Sequence, residues 1–191
     1  MDSAAEHARF HAEIEAHLEK VAGATKCTVL CPNWFFTNHL ADVFGTLPMG
    51  IVACPLAPDA KATAVDPRDV GELAAQMMMA PDPFVCHGLK LDVGGPEAVS
   101  MAQVAALHTA ALGRPVRLVK PSVDEWVAAA SPALPAWFAK AVSHNLERWE
   151  AGDLAFSTSA EALALAPPKR TMADWVKEWA PRSPAPGALR R

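Results

Sequence analysis

The chain has 191 residues, 51% hydrophobic and 20% charged, with a net charge of −4. That balance fits one domain with a sizeable core and excludes a disordered chain. No apolar run approaches a membrane span, no secretory pattern opens MDSAAEHARF, and no basic block outside the short tail suggests a nucleic-acid partner. There is no tyrosine to donate a proton, and the ten glycines never form G-x-G-x-x-G or G-x-x-x-x-G-K-[ST], so no recognisable phosphate cradle is present. Cys27, Cys31, Cys54 and Cys86 form no C-x-x-C pair. They are expected as free, buried thiols in a reducing, cytoplasmic setting.

Ser3 with Glu6 reads as a capping box, which predicts a helix over 4–21 that buries Phe10, Ile14, Leu18 and Val21. His7, His11 and Glu15 share one face of it. That spacing could hold a metal or line a cleft. It lacks the Glu of a zincin helix, and no later cluster completes a ligand set, so no metal is expected. Gly23 stops the helix, and Cys27–Cys31 reads as a strand ended by Pro32. Pro32-Asn-Trp-Phe-Phe-Thr-Asn38 follows, and three adjacent aromatics cannot all face one core. Past the carboxyl end of a parallel strand they would lie where ligands bind; alternatively, Trp34 and Phe35 plug the core.

Residues 45–64 read as loop with at most short strands. Asp66 and Pro67 open a helix to Met79, with Val70, Leu73, Ala74 and Met77 inward and Met77–Met79 filling core gaps. Asp66, Arg68 and Asp69 are read as cap and surface pairs. Leu89–Val93 is a strand turned by Gly94-Gly-Pro96. Ser100 with Gln103 caps a helix to Leu112, closed by Gly113, and Val116–Val119 is a strand. Further helices are predicted over 122–130, 135–150, 161–165 and 171–179, and Pro181–Arg191 as a disordered tail. Trp137 and Trp149, on the long helix, either roof a pocket or pack in the core.

This order of pieces resembles the NmrA-like atypical short-chain dehydrogenases. The resemblance rests on the H-x-x-x-E helix, T-V-L-x-P, N-W-F-F-T-N, V-D-P-R-D-V-G-E-L-A-A, L-D-V-G-G-P-E-A-V-S-M-A-Q-V-A, A-L-G-R-P-V and T-M-A-D-W-V, over residues 7–180. The W-F-x-x-N stretch is most similar to the ergot-alkaloid reductase type (festuclavine and agroclavine dehydrogenases). The implied fold is α/β: the C-terminal part of a Rossmann-like NAD(P)-binding fold plus a small, mostly helical substrate region. Residues 1–44 would supply the Rossmann-derived helix, strand and substrate loop, and 45–180 the substrate region. The family begins with a βαβ unit carrying the Gly-rich loop, and the match starts after it. A truncated form with impaired NAD(P) binding is therefore expected. An exposed sheet edge open to a partner or to self-association is expected with it.

The resemblance implies that Pro32, Asn33 and Trp34 lie beside the nicotinamide of NAD(P). Phe35, Phe36 and Asn38 would border a small, flat, hydrophobic carbonyl or imine substrate. His7 and His11 fall where short-chain dehydrogenases carry Tyr and Lys, and either could donate a proton. Cys31 stands where the family commonly has Arg. The alternative implied is a non-catalytic, dinucleotide-sensing regulator.

Overall fold

A computed structural model describes residues 6–22, 27–82, 87–130 and 135–185. In chain order the elements are α1 (Glu6–Ala22), β1 (Val29–Pro32), β2 (Ile51–Ala53), β3 (Lys61–Ala62), α2 (Pro67–Met79), β4 (Lys90–Val93), β5 (Val99–Ser100), α3 (Met101–Leu112), β6 (Arg117–Val119), α4 (Val123–Ala130), α5 (Ala136–Glu150), α6 (Ala160–Leu165) and α7 (Met172–Trp179). Short helical turns fill residues 36–49 between β1 and β2. This is a helix-rich α/β fold. Ser3, Gly23 and Cys86, with the roles expected of them, lie outside the described residues.

Local chemistry sets the helix starts. Asp66 accepts from the Arg68 amide at 2.8 Å, with Pro67 in the first turn of α2. Ser100 and Gln103 form a reciprocal capping box on α3, as Thr171 and Asp174 do on α7. Gly113, at φ 62°, closes α3 in the left-handed conformation that glycine adopts without strain.

The strands pair two by two. β1 and β4 are parallel, in register from Val29–Lys90 to Pro32–Val93. β2 and β6 are parallel, and β3 and β5 antiparallel. The two edges of the β1–β4 pair differ. On the outer edge of β4, the Ser159 amide donates to the Asp92 carbonyl and the Asp92 amide to Ser159 Oγ, each at 2.9 Å. Thr158 Oγ1 binds both the amide and the carbonyl of Gly94. In β1, the amides of Val29 and Asn33 point to β4. The pleat therefore turns the Leu30 amide and the Leu30 and Pro32 carbonyls the other way. No described residue pairs with those three groups.

Two buried clusters form the core. The larger joins Phe36, Val43, Leu47 and Val52 to Val104, Trp149, Met172 and Trp175; the smaller holds Val65, Leu73, Val93 and Ala162 beneath Leu30 and Phe35. The sequence reading is corrected at α1. Its supposed core stripe is exposed, with Phe10 at 44%, Ile14 at 57%, Leu18 at 39% and Val21 at 61%. The reason is that α1 reaches the rest of the protein through a partly exposed ion pair and a single ring contact. Glu15 pairs with Lys90 at 2.6 Å, and Phe10 meets the exposed Trp137 edge-to-face at 6.2 Å.

Smaller corrections follow the same logic of missing neighbours. The strand begins at Val29, so Cys27 lies outside it and is exposed, while Cys54 is buried. Met78 and Met79 face solvent at the end of α2. Pro181 and Arg182 of the expected tail belong to a helical turn over Ala180–Arg182, with the Arg182 guanidinium 4.2 Å from the Trp179 ring centre.

Candidate functional site

The carboxyl end of β1 runs straight into the aromatic loop. The Asn33 amide continues the ladder to the Val93 carbonyl at 2.9 Å. The Asn33 side chain is buried and fully engaged. Its Nδ2 donates to Thr63 Oγ1 at 2.9 Å and to the Leu154 carbonyl at 2.8 Å, and its Oδ1 accepts from the Trp34 amide at 2.7 Å. Thr63 Oγ1 donates on to the Phe156 carbonyl at 2.6 Å. Asn33 thus joins three distant segments and sets where Trp34 begins. A Cβ on Gly95 would come 1.9 Å from the Ala64 carbonyl oxygen, so only glycine lets β4 pass residues 63–65 this closely.

The three aromatics diverge. Trp34 is half-buried against the larger cluster and meets Trp149 edge-to-face at 5.7 Å, while Trp149 donates to the Ala60 carbonyl. Phe35 is half-buried over the smaller cluster, and its backbone bridges Val65. Phe36 is a core residue, 1% exposed, tilted against Trp175 at 6.5 Å. Trp34 and Phe35 therefore present surface beside the half-buried Pro32, and Asn38 is exposed further along the loop. Asn33 and Phe36 support them from behind.

His11 is exposed on α1, and the side chain of His7 lies outside the described residues. Of the expected His7–His11–Glu15 face, Glu15 is committed to Lys90, whose pKa that bond raises. Among the described residues no group of three His, Cys, Asp or Glu side chains could hold a metal. Burial pushes the Cys31 thiol up and the Cys54 thiol up to about 11, so neither is a ready thiolate.

Asp66 and Asp69 do cap and pair, but in buried positions. Burial alone would raise the Asp66 pKa; hydrogen bonds from Arg68 outweigh it and hold the carboxyl below its usual range. Asp69 accepts from the Lys169 and Arg170 amides and from the Arg170 guanidinium.

Sequence reasoning missed a buried histidine pair behind the loop. His39 is 4% exposed and His108 is fully buried. His39 Nδ1 lies 3.3 Å from Asp42 Oδ2, and its ring stands 6.2 Å from that of Trp175. Among the described residues, His39 Nε2 and both ring nitrogens of His108 meet no hydrogen-bond partner. Burial, reinforced by His39, pushes the His108 pKa down to about 4. No local pattern announces this pair, because the two residues come from distant segments.

A parallel strand pair between helices, with an aromatic loop at its carboxyl end, is the arrangement of ligand-binding α/β proteins. Comparison with known proteins narrows it. No family model matches the chain. It is 30% identical over 153 residues to the (4-alkanoyl-5-oxo-2,5-dihydrofuran-3-yl)methyl phosphate reductase of Streptomyces griseus, covering 80% of this chain and 53% of that protein. The NADPH complex of the NADPH-dependent quinone oxidoreductase of Escherichia coli matches with a TM-score of 0.77 at 24% identity, over 93% of this chain and 61% of that one. NmrA, a negative transcriptional regulator solved with NADP, matches with a TM-score of 0.59 at 18% identity, over 82% of this chain and 53% of that one. The fold is therefore the one these NADPH- and NADP-bound proteins share. The chain spans about half the length of the curated reductase it matches.

Proposed function

We propose that this chain is the substrate-binding part of an NAD(P)H-dependent reductase acting on a small, flat, apolar acceptor. The class includes conjugated carbonyls, quinones and cyclic imines, and the imines of the ergot-alkaloid type fall within it. The observation that carries the reading is the pair of half-buried rings, Trp34 and Phe35, at the carboxyl end of β1. An apolar wall with few polar groups selects planar substrates by shape and dispersion. NAD(P)H would supply the hydride.

The residues fit that cofactor at one end. Pro32 and Trp34 would flank the nicotinamide, with Asn33 holding Trp34 in place, and Phe35 and Asn38 would border the acceptor. His11 stands one turn before Glu15, whose pair with Lys90 fixes the helix over the strands. That turn leads away from the α1–β1 connection and so towards the Pro32 end, where His11 would deliver a proton. For the pyrophosphate, no cradle exists among the described residues. Their positive-φ glycines, Gly50, Gly88, Gly113 and Gly152, open no helix, and α2 begins at an aspartate.

The likeness to NmrA favours a second reading, a dinucleotide-sensing protein without turnover. Titration of the purified chain with NADPH and NADH, followed by fluorescence of its six tryptophans, tests binding. Quinone-dependent NADPH oxidation tests turnover. Trp34→Ala is expected to lower kcat/KM at least tenfold. Nucleotide binding with no oxidation of any carbonyl, quinone or imine would leave the regulatory reading standing.

A further inference from the structure

We infer that Trp149 is a positioning residue that sets, through Trp34, how large a planar ring system the acceptor wall admits. The inference rests on the reductase reading above and names what fixes the size of its substrate.

Trp34 is held twice, and both holds come from the end of α5. The first is on its backbone. Asn33 Oδ1 accepts from the Trp34 amide, and Asn33 Nδ2 donates to Thr63 Oγ1 and to the Leu154 carbonyl. Leu154 lies just past the end of α5, as does Phe156, whose carbonyl holds Thr63. This hold fixes the Trp34 backbone and leaves the side chain its rotamers. The second hold is on the ring. Trp149, in the last turn of α5, meets it edge-to-face at 5.7 Å, with the planes 62° apart. That geometry is favourable and directional.

Trp149 is the fixed member of the pair. It is 3% exposed, and its Nε1–H donates to the Ala60 carbonyl at 3.3 Å. The turn that receives this bond is fastened to the same helix end. The Ala60 amide donates to the Ala57 carbonyl, and the Ala57 amide donates to the Glu150 carboxylate at 2.9 Å. Trp34, by contrast, is only half-buried. One ring of the pair can yield and the other cannot, so the face that Trp34 offers an acceptor is set from behind by Trp149.

The consequence follows from packing. Protein interiors hold little spare space, and a shortened core side chain leaves a void that its neighbours only partly refill. Shortening Trp149 opens that void directly behind Trp34, the half-buried ring free to tilt into it. The wall then recedes, and a broad planar acceptor gains more than a narrow one. Trp137 lies on the same helix but is 51% exposed and meets Phe10 and Phe138 instead.

The test titrates the full 191-residue chain with duroquinone, a single ring, and with phenanthrenequinone, three fused rings, following quenching of tryptophan fluorescence. Trp149→Leu is expected to shift the ratio of the two dissociation constants about tenfold in favour of phenanthrenequinone. Trp149→Phe keeps a ring against Trp34 and should shift it about threefold in the same direction. If Trp149→Leu does not fold, this milder variant carries the test. Trp137→Leu should leave the ratio unchanged. In a Trp34→Ala background, Trp149→Leu should have no further effect on it, because the two side chains act as one unit. Without quinone, the Trp34 indole N–H resonance, identified by its loss in Trp34→Phe, should move in both Trp149 variants. A ratio unmoved in the folded variants, a shift of equal size with and without the Trp34 ring, or an unmoved Trp34 resonance would overturn the proposal and leave the acceptor reading standing. No binding of either quinone, or binding undiminished by Trp34→Ala, would sink the acceptor reading and the size rule together.

Discussion

His108 shows what a single buried side chain does to the whole stability curve. Its ring is fully buried, with His39 and the Asp42 carboxylate as the ionisable groups acting on it, and its pKa falls to about 4. The unfolded chain takes up a proton near pH 6.5 that the folded chain refuses until about pH 4. Its contribution is therefore complete above pH 6.5 and is lost as pH falls through that window. The loss between pH 7.5 and 4.5 is roughly 2–3 kcal/mol. His108→Leu, which fills the site without a titratable group, should flatten that drop while costing no more than about 1 kcal/mol at pH 7.5. Urea denaturation of both proteins at the two pH values reads the difference. An equal drop in the variant would show that the carboxylates, not this ring, carry the acid sensitivity.

Single residues were legible only where their partners lie close in sequence. Asp66 and Ser100 could be read as caps because each partner is two or three positions away. Asn33 could be placed in the loop but not given its role, since Thr63 and Leu154 come from far along the chain. Phe36 sits beside Trp34 and Phe35 in sequence, yet only the fold sends it inward to Trp175.

Between elements, charge rather than apolar packing ties the start of α2 to the segment before α7. The buried Asp69 carboxylate receives two backbone amides, from Lys169 and Arg170, and the Arg170 guanidinium. Removing it strands those donors, and breaking a buried pair costs more than the intact pair contributes. Asp69→Ala should destabilise the protein by about 2–4 kcal/mol. Glu72→Gln weakens an exposed pair with Lys169 and a longer, 3.5 Å contact with Arg170, and should lower Tm far less. Thermal melts of the two variants separate these effects. Similar shifts in both would mean that the cluster acts as one exposed network. Helix and strand positions came through the sequence well, because periodicity and caps are local. The buried face of α1 did not, because a 3.6-residue stripe says that a face is apolar and not what lies against it.

At the scale of the molecule, the core is built without α1. No described side chain of α1 belongs to either buried cluster, and the larger one runs from Phe36 to Ala180. Stability should then be unevenly spread. Amides of α1 should open at roughly 1–2 kcal/mol, while those of α3 and α7 exchange only with global unfolding. By the same argument, the polypeptide beginning at Cys27 should still melt cooperatively, with Tm within about 5 °C of the full chain. Hydrogen exchange on the intact chain and a circular-dichroism melt of the shortened one measure the two quantities separately. If α1 exchanges as slowly as α3, its exposed stripe is held by something in the lone chain. The helix would then be part of the cooperative unit. If α1 opens easily and the shortened chain still melts sharply, the helix adds nothing to the core, as the exposure of its four apolar side chains implies.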